Sequence, residues 1–420
     1  MLDTSGFAPS AGHVALRLDT LVIYELHVGT FTAEGTFDAA IARLPELAAL
    51  GVTAVELMPI TTFPGERGWG YDGVLIHAPH RAYGGPAGLA RFVAAAHEAG
   101  LGVILDVVYN HVGPGSELLA AFGPYFSDRH RTLWGDAVDY ARPAVREWAI
   151  QNAELWVGDY GVDGLRLDAT NAVVDESEQH VMVELANRVR AANPEVLVIS
   201  EIARGDRRPV EEWGHDAQWA DDFHHALHVL LTGERDGYYA QFGAVADLAR
   251  AYEALPPGQL VVCAQNHDQV GNRAHGDRLP PEVRHLAAAC LLFAPHVPLL
   301  FMGEECGESR PFQFFTDHDD PVIAQLTREG RRKEFAKFAS FALEDLPDPQ
   351  AHATFERSKV RPAHADEALR AVYAELIELR KELPATVETS VDEERRTLRV
   401  RRGDVELVAD FANLTAEIRR

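Results

Sequence analysis

Cysteine is scarce and long apolar runs are missing. Cys263, Cys290 and Cys306 are the three cysteines in 420 residues, odd in number and far apart, and Cys263 falls inside a strand-like run. That pattern excludes a disulfide framework and reads as reduced core thiols. The opening Met1-Leu2-Asp3-Thr4-Ser5-Gly6 has neither a basic n-region nor an apolar h-region, and no window approaches a membrane span. The expected compartment is the cytoplasm. Basic residues are also few: 39 Lys and Arg against 64 Asp and Glu give a net charge of -25, which repels phosphate backbones and anionic lipid. Nucleic acid and membranes are therefore excluded as expected partners. There is no internal repeat and no low-complexity tract. What remains is a globular chain, 47% hydrophobic, long enough for one large α/β domain with a small partner.

The chain is organised around Gly164-Leu165-Arg166-Leu167-Asp168-Ala169. Apolar side chains alternate there with an arginine and then an aspartate, the pattern of a buried strand that ends in a carboxylate. A carboxylate is costly to bury unpaired, so Asp168 is expected where the strand opens into a cavity. Arg166, two residues back on the same face, is its expected ion partner. Two later runs also deliver acids, Val196 to Glu201 and Leu260 to Asp268. Three such runs predict one active site assembled from separate strands.

From Leu21 to about Leu379, strand and helix patterns alternate. Strands are predicted at Leu21 to His27, Val52 to Met58, Leu101 to Tyr109, the Asp168 and Glu201 runs, Ala217 to Phe223, the Asp268 run, and Leu299 to Met302. Helical periodicity lies between them over Thr36 to Leu50, Pro86 to Ala99, Pro143 to Gly158, Ser177 to Ala192, a stretch ending at Leu255, and Pro281 to Ala294. Continuous apolar strands belong to parallel sheets covered on both faces. The count predicts an α/β protein of the (β/α)8 TIM-barrel class, with the site on its βα loops. Val112 to Asp139 is too long for a routine βα loop and reads as a lid-like excursion after strand 3. Residues 320–365 are charged and weakly periodic, and Asp366 to Leu383 reads as a closing helix. Arg396 to Phe411 alternates like strands around a turn at Gly403-Asp404. The expected division is a leader over 1–20, a catalytic barrel over 21–383 with its excursion at 112–139, and a small C-terminal β unit over 384–420.

Four segments then carry a resemblance. Asp106-Val107-Val108-Tyr109-Asn110-His111, Gly164 to Asp168, Ser200-Glu201 and Asn266-His267-Asp268 resemble, in order, the four signature regions of the α-amylase superfamily of retaining glycosidases. Within it, Glu66 to Gly73, Tyr24 to Phe31 and Trp219 to His225 are similar to the maltooligosyltrehalose trehalohydrolases. The resemblance implies a retaining hydrolase that cuts the α-1,4 bond next to a terminal trehalosyl unit. It acts on maltooligosyltrehalose and related α-glucans, needs no cofactor, and depends on a partner enzyme that makes the substrate. The same acids would serve a glucan branching transferase, the alternative within enzymes. A non-catalytic carbohydrate-binding protein is the alternative outside them, but its usual mark, loss of an acid, is absent. The superfamily members so resembled carry a β-sandwich before the barrel, whereas barely twenty residues precede the first strand here. A shortened chain is the expectation, with stability and remote substrate contacts affected more than chemistry.

Retaining cleavage needs one carboxylate to attack the anomeric carbon and one protonated carboxyl to serve the leaving oxygen, about 5 to 5.5 Å apart. Asp168, beside a guanidinium that lowers a carboxylate pKa, suits the nucleophile. Glu201, with no adjacent cation in sequence, suits the acid/base. The resemblance gives the same roles and makes Asp268 the holder of sugar hydroxyls. It also implies His111 and His267 as donors to that sugar ring and Tyr71 as its floor. Arg166 and Asn171 join the expected substrate-binding set, Asn110 ties loops together, and His27 packs or binds. Trp219, Asp221, Asp222, Phe223, His224 and His225 are expected to line the leaving-group side, or else to be a helix start capped by Asp221 or Asp222.

Other patterns carry little. Gly68 to Gly73 fits GxGxxG, but Val74 to Pro79 cannot open the helix a dinucleotide site needs. His224 and His228 stand at i, i+4 without a clear third zinc ligand. Asn413-Leu414-Thr415 is an acceptor only in a secreted protein. Related amylases bind calcium near the Asn110 region, yet no dense oxygen cluster occurs, and no metal is expected.

Overall fold

The computed structural model describes residues 12–254, 256, 258–335, 346–361 and 366–420. The first residues of the expected leader, the helix end expected at Leu255, and parts of the charged 320–365 stretch lie outside the described residues.

Eight short strands form a closed parallel barrel in sequence order: β1 (Ile23–Leu26), β2 (Ala54–Leu57), β3 (Gly102–Val107), β4 (Gly164–Leu167), β5 (Leu197–Ser200), β6 (Ala217–Trp219), β7 (Leu260–Cys263) and β8 (Val297–Phe301). Strand β8 pairs back onto β1, with Ile23 opposite Leu299. The expected (β/α)8 fold is present.

Alternation along each strand sorts the core into two bodies. Inward positions Ile23, Ala54, Ile104, Leu197, Ile199, Ala217, Val261, Val297 and Leu299 pack together inside the barrel. Leu16 joins them from the stretch before β1, close enough to Gly102 that a Cβ there would lie 2.6 Å from its Cδ2. The larger apolar body fills the space between strands and helices. One inward step further along β1 to β4, the residues change type: Glu25, Glu56, Asp106 and Arg166 are all buried. Glu25 stands beside Glu56, and Asp106 beside Arg166. A polar layer thus lies on an apolar one, at the C-terminal end of the barrel.

Several elements differ from expectation. The Thr36 to Leu50 pattern divides into two helices, Phe37–Ile41 and Leu44–Leu50, the second with Pro45 in its first turn. Strand β6 has three residues, and a helix begins at Asp221, where two acids suit the positive end of the helix dipole. Strand β7 stops at Cys263, so Asp268 falls in the first turn of a short helix, His267–Gly271. Within the weakly periodic stretch, Pro321–Phe335 is helical. The excursion after β3 holds a helix, Glu117–Phe122, and a hairpin of Phe126–Thr132 with Gly135–Val138. At the C-terminal end, β9 (Glu388–Asp392), β10 (Thr397–Arg402), β11 (Val405–Asp410) and β12 (Thr415–Arg419) form an antiparallel sheet in that order.

Gly70 holds the loop that presents Trp69 and Tyr71. Its φ is +101°, and an added Cβ would lie 1.9 Å from the Pro59 carbonyl oxygen. Both the left-handed backbone and the contact exclude a side chain. Gly70→Ala is expected to cost about 2 kcal/mol or more, seen as a lower urea midpoint at unchanged m-value.

Candidate active site

Arg166 stands at the centre of the polar layer. Its Nη1 donates to both Asp106 oxygens at 2.8 Å and to Asp168 Oδ1 at 2.9 Å, and its Nη2 donates to Glu201 Oε2 at 2.8 Å. The guanidinium carbon lies 4.2 Å from the centre of the Trp219 ring. One buried cation therefore joins the ends of β3, β4, β5 and β6. Asp168 follows β4 directly, and Ala169 after it takes a left-handed φ of 37°. That turn aims the Ala169 N–H at Glu201 Oε2, 2.9 Å away. Asn110 ties loops as expected, its Nδ2 donating to Asp168 Oδ2 at 2.7 Å. Asp168 thus receives a donor on each oxygen, whereas both donors to Glu201 reach Oε2.

Three sequence expectations are corrected here. Arg166 is the partner of Asp168, but burial is the larger influence and raises the Asp168 pKa above its ordinary value. Glu201 does have an adjacent cation, the same Arg166. Burial nevertheless raises its pKa, Arg166 offsets part of that, and Asp168 adds to it. Arg166, expected among the substrate-binding residues, instead has 0% exposure and donates to carboxylates.

A second chain of bonds approaches from the other side. The Tyr71 hydroxyl donates to Asp106 Oδ2 at 2.6 Å and lies 2.6 Å from His267 Nε2, with the two rings stacked at 5.2 Å. His267 Nδ1 is 2.5 Å from Glu25 Oε1, and its backbone N–H donates to Glu25 Oε2 at 2.8 Å. Asp268 Oδ2 lies 3.4 Å from His267 Nε2. Burial works to lower the His267 pKa, but Asp268 and Glu25 outweigh it and raise the ring to about 10. Asp168, Glu201 and Asp268, drawn from three segments, are thereby gathered around one centre. Glu25 and Asp106 were missed as site residues, although each is an acid inside an apolar strand.

A cavity of about 300 Å³ opens beside Glu201 and Asp268, lined further by Asp221, His225, Tyr238, Tyr239, Asn272 and Arg273. Burial, then the charges of Glu201 and Asp268, raise the Asp221 pKa to about 7. The rest of the expected cluster is elsewhere. Phe223 is in the core against Tyr252, and His224 is buried with its nitrogens near the Ala264 carbonyl and the Tyr239 hydroxyl. Asp222 pairs with Arg204 at 2.6 Å, and Trp219 is buried beneath Arg166. Asn171 is exposed in the turn after β4. Tyr238, Tyr239, Asn272 and Arg273 gave no motif to find them by. His111 is held by Asn110 and stacks on Trp134 of the excursion at 4.7 Å. His27 packs at the end of β1 between Thr30, Gly68 and Tyr83. His228 meets Glu234 at 2.9 Å, and no group of three or more potential ligands that could hold a metal occurs among the described residues.

The family model for the alpha amylase catalytic domain matches residues 5–122 and 131–389. The chain belongs to the alpha-amylase family, and with its closed parallel barrel it is a glycoside hydrolase of that family. It is 43% identical to the malto-oligosyltrehalose trehalohydrolase of Saccharolobus solfataricus, over 88% of this chain and 70% of that one. A crystal structure of a putative alpha amylase from Salmonella typhimurium matches it with a TM-score of 0.88 at 39% identity, over 97% of this chain and 78% of that one. The 1,4-alpha-glucan branching enzyme of Geobacillus stearothermophilus is more distant, 29% identical over 69% of this chain and 50% of its own.

Asp106 is the acceptor shared by both bond chains. Asp106→Ala leaves Arg166 underpaired in a dry site and should cost about 3–5 kcal/mol. Guanidinium denaturation checks this; a wild-type midpoint would show that Arg166 does not depend on it.

Proposed function

We propose that this chain is a retaining hydrolase that cleaves the α-1,4 bond next to the terminal trehalose of maltooligosyltrehalose, releasing trehalose and a shorter maltooligosaccharide. Glu201 gives its proton to the departing oxygen while Asp168 attacks the anomeric carbon to form a glycosyl ester. Water, activated by Glu201, then hydrolyses that ester. Asp268, His111, His267 and Tyr71 hold the sugar ring between them. The observation that carries the reading is that Glu201 lines the cavity with Asp268 and Asp221, while Asp168 does not. The acid must adjoin the leaving group, so the cavity is its place, and a volume of about 300 Å³ suits a small, polar, compact unit. The name of the Saccharolobus relative supports trehalose as that unit.

The same reading divides the chain into a catalytic barrel over 21–383 and a C-terminal β unit over 384–420. It sets the enzyme after another that makes the trehalose-ended glucan. Three buried free thiols fit the reducing cytoplasm. No helix among the described residues is long and apolar enough to cross a membrane.

Incubation with maltooligosyltrehalose and with plain maltooligosaccharide tests the assignment. Trehalose released preferentially from the first is expected; new α-1,6 links in amylose would instead make the chain a branching transferase. Asp168→Asn should reduce trehalose release by about a thousandfold or more. Since burial raises the Glu201 pKa, its acid form persists above the ordinary carboxylate range. The rate should fall as pH rises through that value, and Glu201→Gln should remove that limb of the profile.

A further inference from the structure

Two glutamates, Glu25 on β1 and Glu56 on β2, stand side by side in register beneath the site. Their surroundings differ. Glu25 turns both oxygens to His267, one at 2.5 Å from Nδ1 and one accepting the backbone N–H at 2.8 Å. Neither oxygen of Glu56 has a hydrogen-bond partner among the described residues, and its side chain is fully buried.

The bonds around His267 point to its protonation. A carboxylate only accepts, so Nδ1 carries a proton toward Glu25. The Tyr71 hydroxyl gives its own proton to Asp106, so at 2.6 Å the tyrosine oxygen accepts from Nε2. A ring that donates from both nitrogens is an imidazolium.

We propose that Glu25 is a positioning residue: its two bonds orient His267 and hold it as a cation against Tyr71 and Asp268, while the unpaired Glu56 beside it stays protonated. This rests on the hydrolase reading above and deepens it. The ionisable groups that face His267 are Glu25 from β1, Glu56 from β2, Tyr71 from the loop after β2, Asp106 from β3, Arg166 from β4 and Asp268 beside it. His27, at the end of β1, is held neutral by burial, with a pKa lowered to about 4. Burial first, and Glu25 next, raise Glu56 well above the ordinary carboxylate range. An ionised Glu56 would be an unpaired buried anion beside Glu25, which the neutral acid avoids. A cationic His267 makes charge-assisted bonds to Glu25 and to the Tyr71 oxygen and cannot change tautomer.

The test compares the full chain with its Glu25→Gln and Glu56→Gln variants by following the His267 ring nitrogens in a nitrogen-15 NMR titration, alongside kcat and KM. In the wild type, His267 should remain protonated to about two pH units or more above its ordinary value of ~6.5. Glu25→Gln should lower that titration by about one unit or more and reduce kcat about tenfold or more, with KM changed less. Glu56→Gln, an isosteric neutral replacement, should leave both near wild type. A wild-type His267 that titrates at its ordinary value overturns the proposal, and so does an unchanged titration in Glu25→Gln or an equal loss of kcat in Glu56→Gln. The wild-type titration needs neither a folded variant nor a substrate, so its outcome is separate from that of the trehalose assignment.

Discussion

A guanidinium with no exposed surface binds Asp106, Asp168 and Glu201 at once, and the geometry of the whole centre follows from it. A buried arginine is tolerated when its N–H groups meet charged acceptors. Here those acceptors come from three neighbouring strands, so satisfying the cation fixes the ends of β3, β4 and β5 relative to one another. Neither Asp168 nor Glu201 can drift without leaving Arg166 short of a partner. The desolvation that makes this arrangement costly also makes it rigid, which is what a preorganised site requires.

The barrel supplies that layer through strand alternation. Each of β1, β2 and β3 places an apolar residue inward and then, two residues later, an acid: Ile23 and Glu25, Ala54 and Glu56, Ile104 and Asp106. Strand β4 contributes the arginine in the same way. The lower layer keeps water out from beneath, and the upper layer holds the charges that the lower one cannot solvate. Loops then finish the site unequally. Those after β6 and β7 enclose the cavity beside Glu201, while the excursion after β3 brings Trp134 over His111.

The eight strands and three acids were legible in the sequence because a carboxylate at the end of an apolar run has few structural reasons to be there. The cluster from Trp219 to His225 was legible only in part. Read as a loop, its six polar and aromatic residues share one face; with Trp219 ending strand β6 and the other five wound as a helix, they cannot, since successive helical residues turn by about 100°. Asp221 and His225, four apart, therefore reach the cavity, while Phe223 enters the core and His224 bonds behind it. The proton affinity of Asp168 was misjudged for a related reason. Adjacency of Arg166 and Asp168 is visible in one dimension, but the burial that outweighs it is a property of the closed barrel. Glu201 and Arg166, far apart in sequence, meet only in three dimensions.

Which carboxyl carries the proton follows from where the donors fall. Asp168 and Glu201 share one buried cation and do not both ionise readily, so the pair tends to keep one proton between them. Asp168 receives Arg166 on one oxygen and Asn110 on the other, and adding a proton would weaken one of those bonds. Glu201 receives both Arg166 and Ala169 on Oε2, so Oε1 can hold the proton at no cost in bonds. In the proposed reaction this makes Glu201 the acid and Asp168 the nucleophile. The division arises from Asn110 and the left-handed turn at Ala169 rather than from any difference in distance to Arg166, whose charge serves both.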